Sequence, residues 1–147
     1  MSELFMEWRP EYSVGIETID DQHRVLLGLL NQLHEALQNG RAEVEIHEVL
    51  DALTDYTRTH FLVEEAIMEV VAYSQFEEHK AQHRKLLQQV RDFRGRVRRR
   101  EAGTAEELLE FLKQWLIQHI LKEDMQYADH FALAKQVLGR QGAEQTL

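Results

Sequence analysis

Cysteine is absent from the chain, which removes disulfide cross-links and thiolate metal sites together; any transition metal held here must sit on nitrogen and oxygen donors. Proline occurs once, at Pro10, the seven glycines are scattered, and no alternating β-branched segment is present, so the reading is an all-helical domain. No apolar run approaches the roughly 18 residues of a membrane span, and the N-terminal MSELFMEWRPEYSV lacks the basic region and apolar run of a secretory leader. A soluble, cytoplasmic protein with no membrane partner is expected. Basic residues are also in deficit: 17 Lys and Arg against 26 Asp and Glu give a net charge of -9 and a pI near 5.3. That balance opposes nucleic acid as a partner, because binding a polyanion relies on releasing counterions from a basic surface. The one basic run, RDFRGRVRRRE at 91–101, is expected to act locally, closing a helix where cations face the negative end of its dipole.

What is present suits one helical core: 147 residues, 44% hydrophobic. The periodicity predicts helices over about 18–38, 43–71, 75–100 and 104–126, with a short fifth segment, YADHFALAKQVLG, after them. Asn39-Gly40 and Gly103 read as helix stops, and Ser74 with Glu77 and Thr104 with Glu107 fit capping boxes. Short connections between long helices make sequence neighbours antiparallel, which gives an up-down-up-down four-helix bundle. The organisation expected is an N-terminal arm over 1–17, packed across the helix ends, a bundle over 18–138 and a tail over 139–147.

The core stripes of these helices contain polar residues where leucine would be ordinary. The seams run Ile19, His23, Leu26, Leu30 on the first helix and Thr57, His60, Glu64, Ile67 on the second. On the third they run Phe76, His79, His83, Leu86, and on the fourth Leu108, Leu112, Trp115, His119. In an up-down-up-down bundle the starts of helices one and three lie beside the finishes of helices two and four. His23, His60, Glu64, His79, His83, His119 and Asp124 therefore converge on one layer near one end of the interior. Unpartnered buried polar groups cost about 1–3 kcal/mol each, and carboxylates more; a metal cation offsets both. The i, i+4 pairs His60/Glu64 and His79/His83 each share a helical face. Seven donors exceed what one tetrahedral or octahedral ion takes, so two ions fit better. In WLIQHILKED, Asp124 lies five positions after His119, which on an α-helix leaves them about 140° apart. Asp124 must reach in from the flank, or the helix must distort near its end.

The stretches DDQHRVLLGLLNQL, HFLVEEAIM, HKAQH and WLIQHILKED, with the intervals between them, resemble the hemerythrin family, and within it the single-domain bacteriohemerythrins. The resemblance runs from Trp8 to about Tyr127; it departs at Tyr73-Ser74, where the family commonly has Tyr-Pro before the third helix. It implies a non-haem di-iron centre with two Fe ions, oxo- or hydroxo-bridged, and with Glu64 and Asp124 bridging both. It further implies His79, His83 and His119 on one iron, and His23 and His60 on the other, leaving a position where dioxygen is held reversibly as a hydroperoxide. Leu26, Phe61, Trp115, Leu116 and Ile120 would line the O2 pocket. An imidazole-rich, carboxylate-poor donor set should favour return to the ferrous state, hence carriage over oxygenation. The reading is therefore an oxygen-binding protein (carrier, store or delivery module) and not an enzyme. An oxygen or redox sensing module, or a di-iron enzyme acting on peroxide or nitric oxide, is the alternative. His34, His47 and His130 are expected at the surface or behind the donors.

Overall fold

The structure is a computed structural model that describes residues 5–40 and 43–133, apart from the side chains of residues 43, 120 and 121. After a 3-10 turn at Pro10–Tyr12, four helices follow: α1 (Glu17–Gln38), α2 (Glu43–Val70), α3 (Phe76–Arg98) and α4 (Thr104–Gln118). α4 runs on through a π-helical segment, His119–Asp124, into helix over residues 125–133. No separate fifth helix begins at Tyr127: up to residue 133 that segment continues the fourth, and 134–139 lie outside the described residues. α1 packs on α2 and α4, and α3 packs on the same two, so the helices form a square of antiparallel neighbours, an all-α up-down-up-down bundle. Among the described residues no helix is long and apolar enough to cross a membrane.

The helix boundaries depart from the capping chemistry expected of the sequence. α2 and α3 do not end on glycine. Tyr73 N–H donates to Met68 O at 2.9 Å and Ala72 N–H to Glu69 O at 3.1 Å, a Schellman motif with Ala72 at φ 53°. Arg100, at φ 58°, does the same after α3, so the stop falls before Gly103. Gly103, at φ 75°, instead precedes α4, and Thr104 Oγ1 turns back to donate to Glu101 O at 2.8 Å. Neither expected capping box forms, because Gln75 and Gly103 occupy the cap positions without a side-chain bond. Part of the basic run is paired with nearby carboxylates. Arg96 pairs with Glu101 and Glu107 at 2.9 and 3.1 Å, and Arg94 with Asp51 of α2.

Two apolar clusters fill the interior. The larger holds Leu30, Leu33, Leu50, Leu86 and Leu108, among others, through the body of the bundle; each such burial contributes about 1.5–3 kcal/mol before entropy is counted. The smaller, with Val14, Ile19, Met68, Tyr73 and Tyr127, closes the other end. The polar layer lies between them. The described part of the arm does two things: Val14 and Ile16 join the cluster at the helix ends, and residues 5–8 lie along α1. The Asn31 side chain grips Met6 through two bonds of 2.8 Å, from Met6 N–H and to Met6 O. Phe5 stacks on His34 at 4.6 Å, and Trp8 carries Arg24 4.4 Å above its ring. An amide at position 31 that both donates and accepts explains this path, which apolar patterning could not show.

Candidate metal centre

Each helix delivers its donors from the stretch that faces the polar layer. α1 gives His23 from its second turn, α2 gives His60 and Glu64, and α3 gives His79 and His83 from its first two turns. The last two come from the π-helical segment, which begins at His119 and ends at Asp124. Hydrogen bonds from i to i+5 widen that turn and bring residues five apart onto one face. His119 Nε2 consequently lies 3.0 Å from Asp124 Oδ1, and the helix distorts where the sequence required either distortion or a reach from the flank. All seven side chains are buried, His23, His60, Glu64 and Asp124 completely.

The oxygens of the two carboxylates are divided between the histidines. Glu64 Oε1 meets His60, with His119 at 3.1 Å and His23 at 3.6 Å, while Oε2 lies 3.4 Å from both His79 and His83. Asp124 turns Oδ2 to His23 at 2.9 Å and Oδ1 to His119 and His79 at 3.0 and 3.4 Å. The donor atoms fall into two overlapping groups: His23, His60, Glu64, His119 and Asp124 in one, and Glu64, His79, His83 and His119 in the other. Close as they are, Nε2 of His23, His60, His79 and His83, Oε2 of Glu64 and both Asp124 oxygens make no aligned hydrogen bond. Buried acceptors and lone pairs converging without partners are what a cation requires, and the neutral-nitrogen and oxygen donor set suits a first-row transition metal.

Without a cation, protons settle the charges. Burial alone would raise Glu64, but the imidazoles of His60 and His119 hold its carboxyl well below the usual range. Asp124 is likewise held down: burial and the Glu64 charge push it up, and His119 and His23 outweigh them. Burial alone would lower the histidines, yet Asp124 and Glu64 hold His79 up at about 9 and His119 at about 10, and raise His23. His83 goes the other way, lowered by burial.

Aromatic rings fix the donors. Phe61 stacks on His83 at 3.7 Å, and Trp115 stacks on His119 at 4.4 Å. Below the layer lies an apolar cavity of about 20 Å3 lined by Leu26, Trp115, Leu116, Thr57, Leu112 and neighbouring leucines. Three of the residues expected to form a pocket line it; Phe61 stands on His83 instead, and the side chain of Ile120 lies outside the described residues. The cavity's one hydroxyl, Thr57 Oγ1, already donates to Leu53 O at 2.7 Å. A space about one water wide with so few free polar partners stays dry.

The family model for the hemerythrin HHE cation binding domain matches residues 14–131. The chain belongs to the hemerythrin family. Among its relatives, the bacteriohemerythrin of Stenotrophomonas maltophilia is 37% identical over 122 residues, covering 83% of this chain and 78% of the relative. That of Methylococcus capsulatus is 35% identical over 123 residues, covering 83% and 93%. The crystal structure of a wild-type hemerythrin superposes with a TM-score of 0.80 at 34% identity, over 86% of this chain and 98% of that one. A hemerythrin domain with a buried His/Glu/Asp cluster able to hold metal is thus in place.

His34, His47 and His130 lie outside both donor groups found among the described residues. His34 lies under Phe5, His47 sits half-buried on α2 outside both donor groups, and His130 Nε2 donates to Val71 O at 2.7 Å. Sequence reasoning passed over Gln22 and Glu65. Gln22 Oε1 lies 2.7 Å from His60 Nδ1, and Glu65 Oε2 lies 3.3 Å from His83 Nδ1. Their signal was adjacency: each is the immediate neighbour of a donor, in QH and EE, one step off the inward stripe. Tyr127 entered the sequence reading only as a boundary, the point where the resemblance ends. It is fully buried, with its ring 5.7 Å from that of His79.

Proposed function

We propose that the chain binds dioxygen reversibly, as a carrier, store or delivery protein, at a non-haem di-iron centre held by His23, His60, Glu64, His79, His83, His119 and Asp124. The observation that carries this reading is the division of both carboxylates, each with one oxygen toward His23 or His60 and the other toward His79. That arrangement supports Glu64 and Asp124 as bridges, with His79, His83 and His119 completing one half and His23 and His60 the other. The half with fewer imidazoles would be the one to take up a small ligand. The chemistry supplied by an iron pair is a reversible exchange of two electrons with dioxygen.

The chain's own residues govern what surrounds that exchange. Five neutral imidazoles against two carboxylates leave the layer short of negative charge, which favours the reduced ions and a ligand that leaves unchanged. Leu26, Leu116 and Trp115 keep the adjoining cavity apolar, so water and stray protons do not collect beside the donors. The smaller cluster, with Tyr127 and Ile19, closes the opposite side of the layer. The test is the visible spectrum of reduced, iron-loaded protein before air, after air and after purging with argon, together with metal analysis. Two irons per chain and a band that comes and goes with oxygen are expected. One metal per chain, zinc retained after expression with iron in excess, or a band that purging does not remove would overturn the proposal.

A further inference from the structure

A chelating imidazole is only as strong a donor as its other nitrogen makes it, because an acceptor at Nδ1 fixes the tautomer and raises the basicity of Nε2. His60 and His83 are held from behind in this way, and by groups of different charge. Behind His60, at 2.7 Å, is the amide oxygen of Gln22; behind His83, at 3.3 Å, is a carboxylate oxygen of Glu65. Both oxygens accept, so in each ring Nδ1 carries the proton and the Nε2 lone pair faces the layer. At equal length a hydrogen bond to a charged acceptor is roughly twice as strong; the Glu65 contact is the longer of the two, so what sets it apart is the full negative charge beside the His83 ring, not the length of the bond. Glu65 is only 21% exposed, which leaves its charge partly unscreened at the ring. The two supports also serve opposite sides of Glu64, whose Oε1 meets His60 and whose Oε2 lies 3.4 Å from His83.

We infer that Gln22 and Glu65 are positioning residues that make the two halves of the centre unequal: the half containing His83 takes up its cation first and holds it more tightly, and the half containing His60 fills second and exchanges more readily. This rests on the two-ion reading above. Placing the charged support away from the half that would take up a ligand has a chemical consequence. The half that meets the ligand keeps the weaker donors and the more electron-poor ion, while the other half acts as an anchor.

The test titrates zinc(II), a diamagnetic probe, into metal-free full-length protein. Calorimetry gives the stepwise affinities, and 15N-histidine resonances show which rings respond at each step. Two steps are expected, with His79 and His83 shifting in the first and His23 and His60 in the second. Glu65→Gln should weaken the first step by about 10–100-fold and leave the second within a few-fold. Gln22→Glu should tighten the second step, and the paired exchange Gln22→Glu with Glu65→Gln should reverse the order of filling. In iron-loaded protein each tenfold loss of ferric over ferrous preference raises that ion's midpoint potential by about 59 mV, so Glu65→Gln should move one of the two potentials upward. Equal shifts in both steps would reduce these side chains to a structural role and overturn the inference, as would no shift at all or an unchanged filling order. Two ions bound with insensitive steps refute it alone; one ion per chain in the unsubstituted protein refutes the two-ion reading and this inference with it.

Discussion

Leu116 stands three residues before His119, buried against the apolar cavity that adjoins the donor layer. Cutting it to alanine removes the bulk that separates the donors from the bundle interior and costs about 2–5 kcal/mol of stability as a large-to-small core substitution. It leaves every donor in place. Leu116→Ala should retain two irons per chain and still respond reversibly to oxygen, but autoxidise several-fold faster and admit azide more quickly. Unchanged autoxidation and azide kinetics would mean that the ligand position faces another wall. A second residue-scale outcome follows from His79 and His119, held up at about 9 and about 10 by the two carboxylates against the effect of burial. Both folded values lie above the ordinary 6.5, so in metal-free protein the two rings carry protons at neutral pH and lose them only as pH rises through 9 to 10. An entering cation must displace them. Affinity for a divalent ion should therefore climb with pH by up to about 100-fold per unit between pH 7 and 9, flattening above. Calorimetry in buffers of different ionisation enthalpy should count at least two protons released per chain, since His23 is raised as well; an absence of proton release would contradict this protonation pattern.

At the scale of the element, the π-helical segment decides whether Asp124 belongs to the layer. A π turn is an α turn carrying one extra residue. Deleting the exposed Lys122 should restore i to i+4 bonding, leave Asp124 four places from His119 on the same face, and preserve uptake of two ions. Deleting Gln118 instead rotates His119 and Asp124 together by about 100° and should abolish it; equal losses from both deletions would refute the geometry. The helix stops offer a simpler test. Ala72 and Arg100 sit at φ 53° and 58°, where a Cβ costs roughly 1–2 kcal/mol. Ala72→Gly and Arg100→Gly should each stabilise by about 1 kcal/mol or less, after the unfolded-state entropy of glycine is counted, read as a rise in melting temperature. These stops escaped sequence reading because a Schellman motif is defined by backbone bonds, and alanine and arginine give no sign of a left-handed φ. The positions of the donors were legible for the opposite reason: five histidines and a glutamate fall on seams whose period is set by helix packing. Asp124 was legible only as a conflict, five residues from His119 where the α-helix wants four. Gln22 and Glu65 lie one residue off the seam, where polar side chains are ordinary, so only the position of the imidazole Nδ1 atoms reveals them.

Across the whole molecule, the donor layer separates two apolar clusters, and a cation there ties all four helices together at once. The metal-free fold must hold the same layer with protons. Its raised histidines contribute stability that is complete below about pH 6.5 and lost as pH rises through 9 to 10. Its depressed carboxylates contribute stability present above the usual carboxylate range and lost as pH falls through their lowered values. The metal-free protein should thus be most stable between the two limits and should soften on the alkaline side, where the metal-loaded protein is held by coordination. Binding to the folded state alone adds about 4 kcal/mol when free metal exceeds its dissociation constant a thousandfold. For a chain of this length roughly 2–4 °C accompanies each kcal/mol, so chelation should lower the melting temperature by about 8 °C or more at neutral pH. The gap should widen toward pH 10. Differential scanning calorimetry of metal-loaded and chelated protein across that range measures it directly. Coincident melting curves would place bound metal outside the buried layer and remove the link between the fold and its centre.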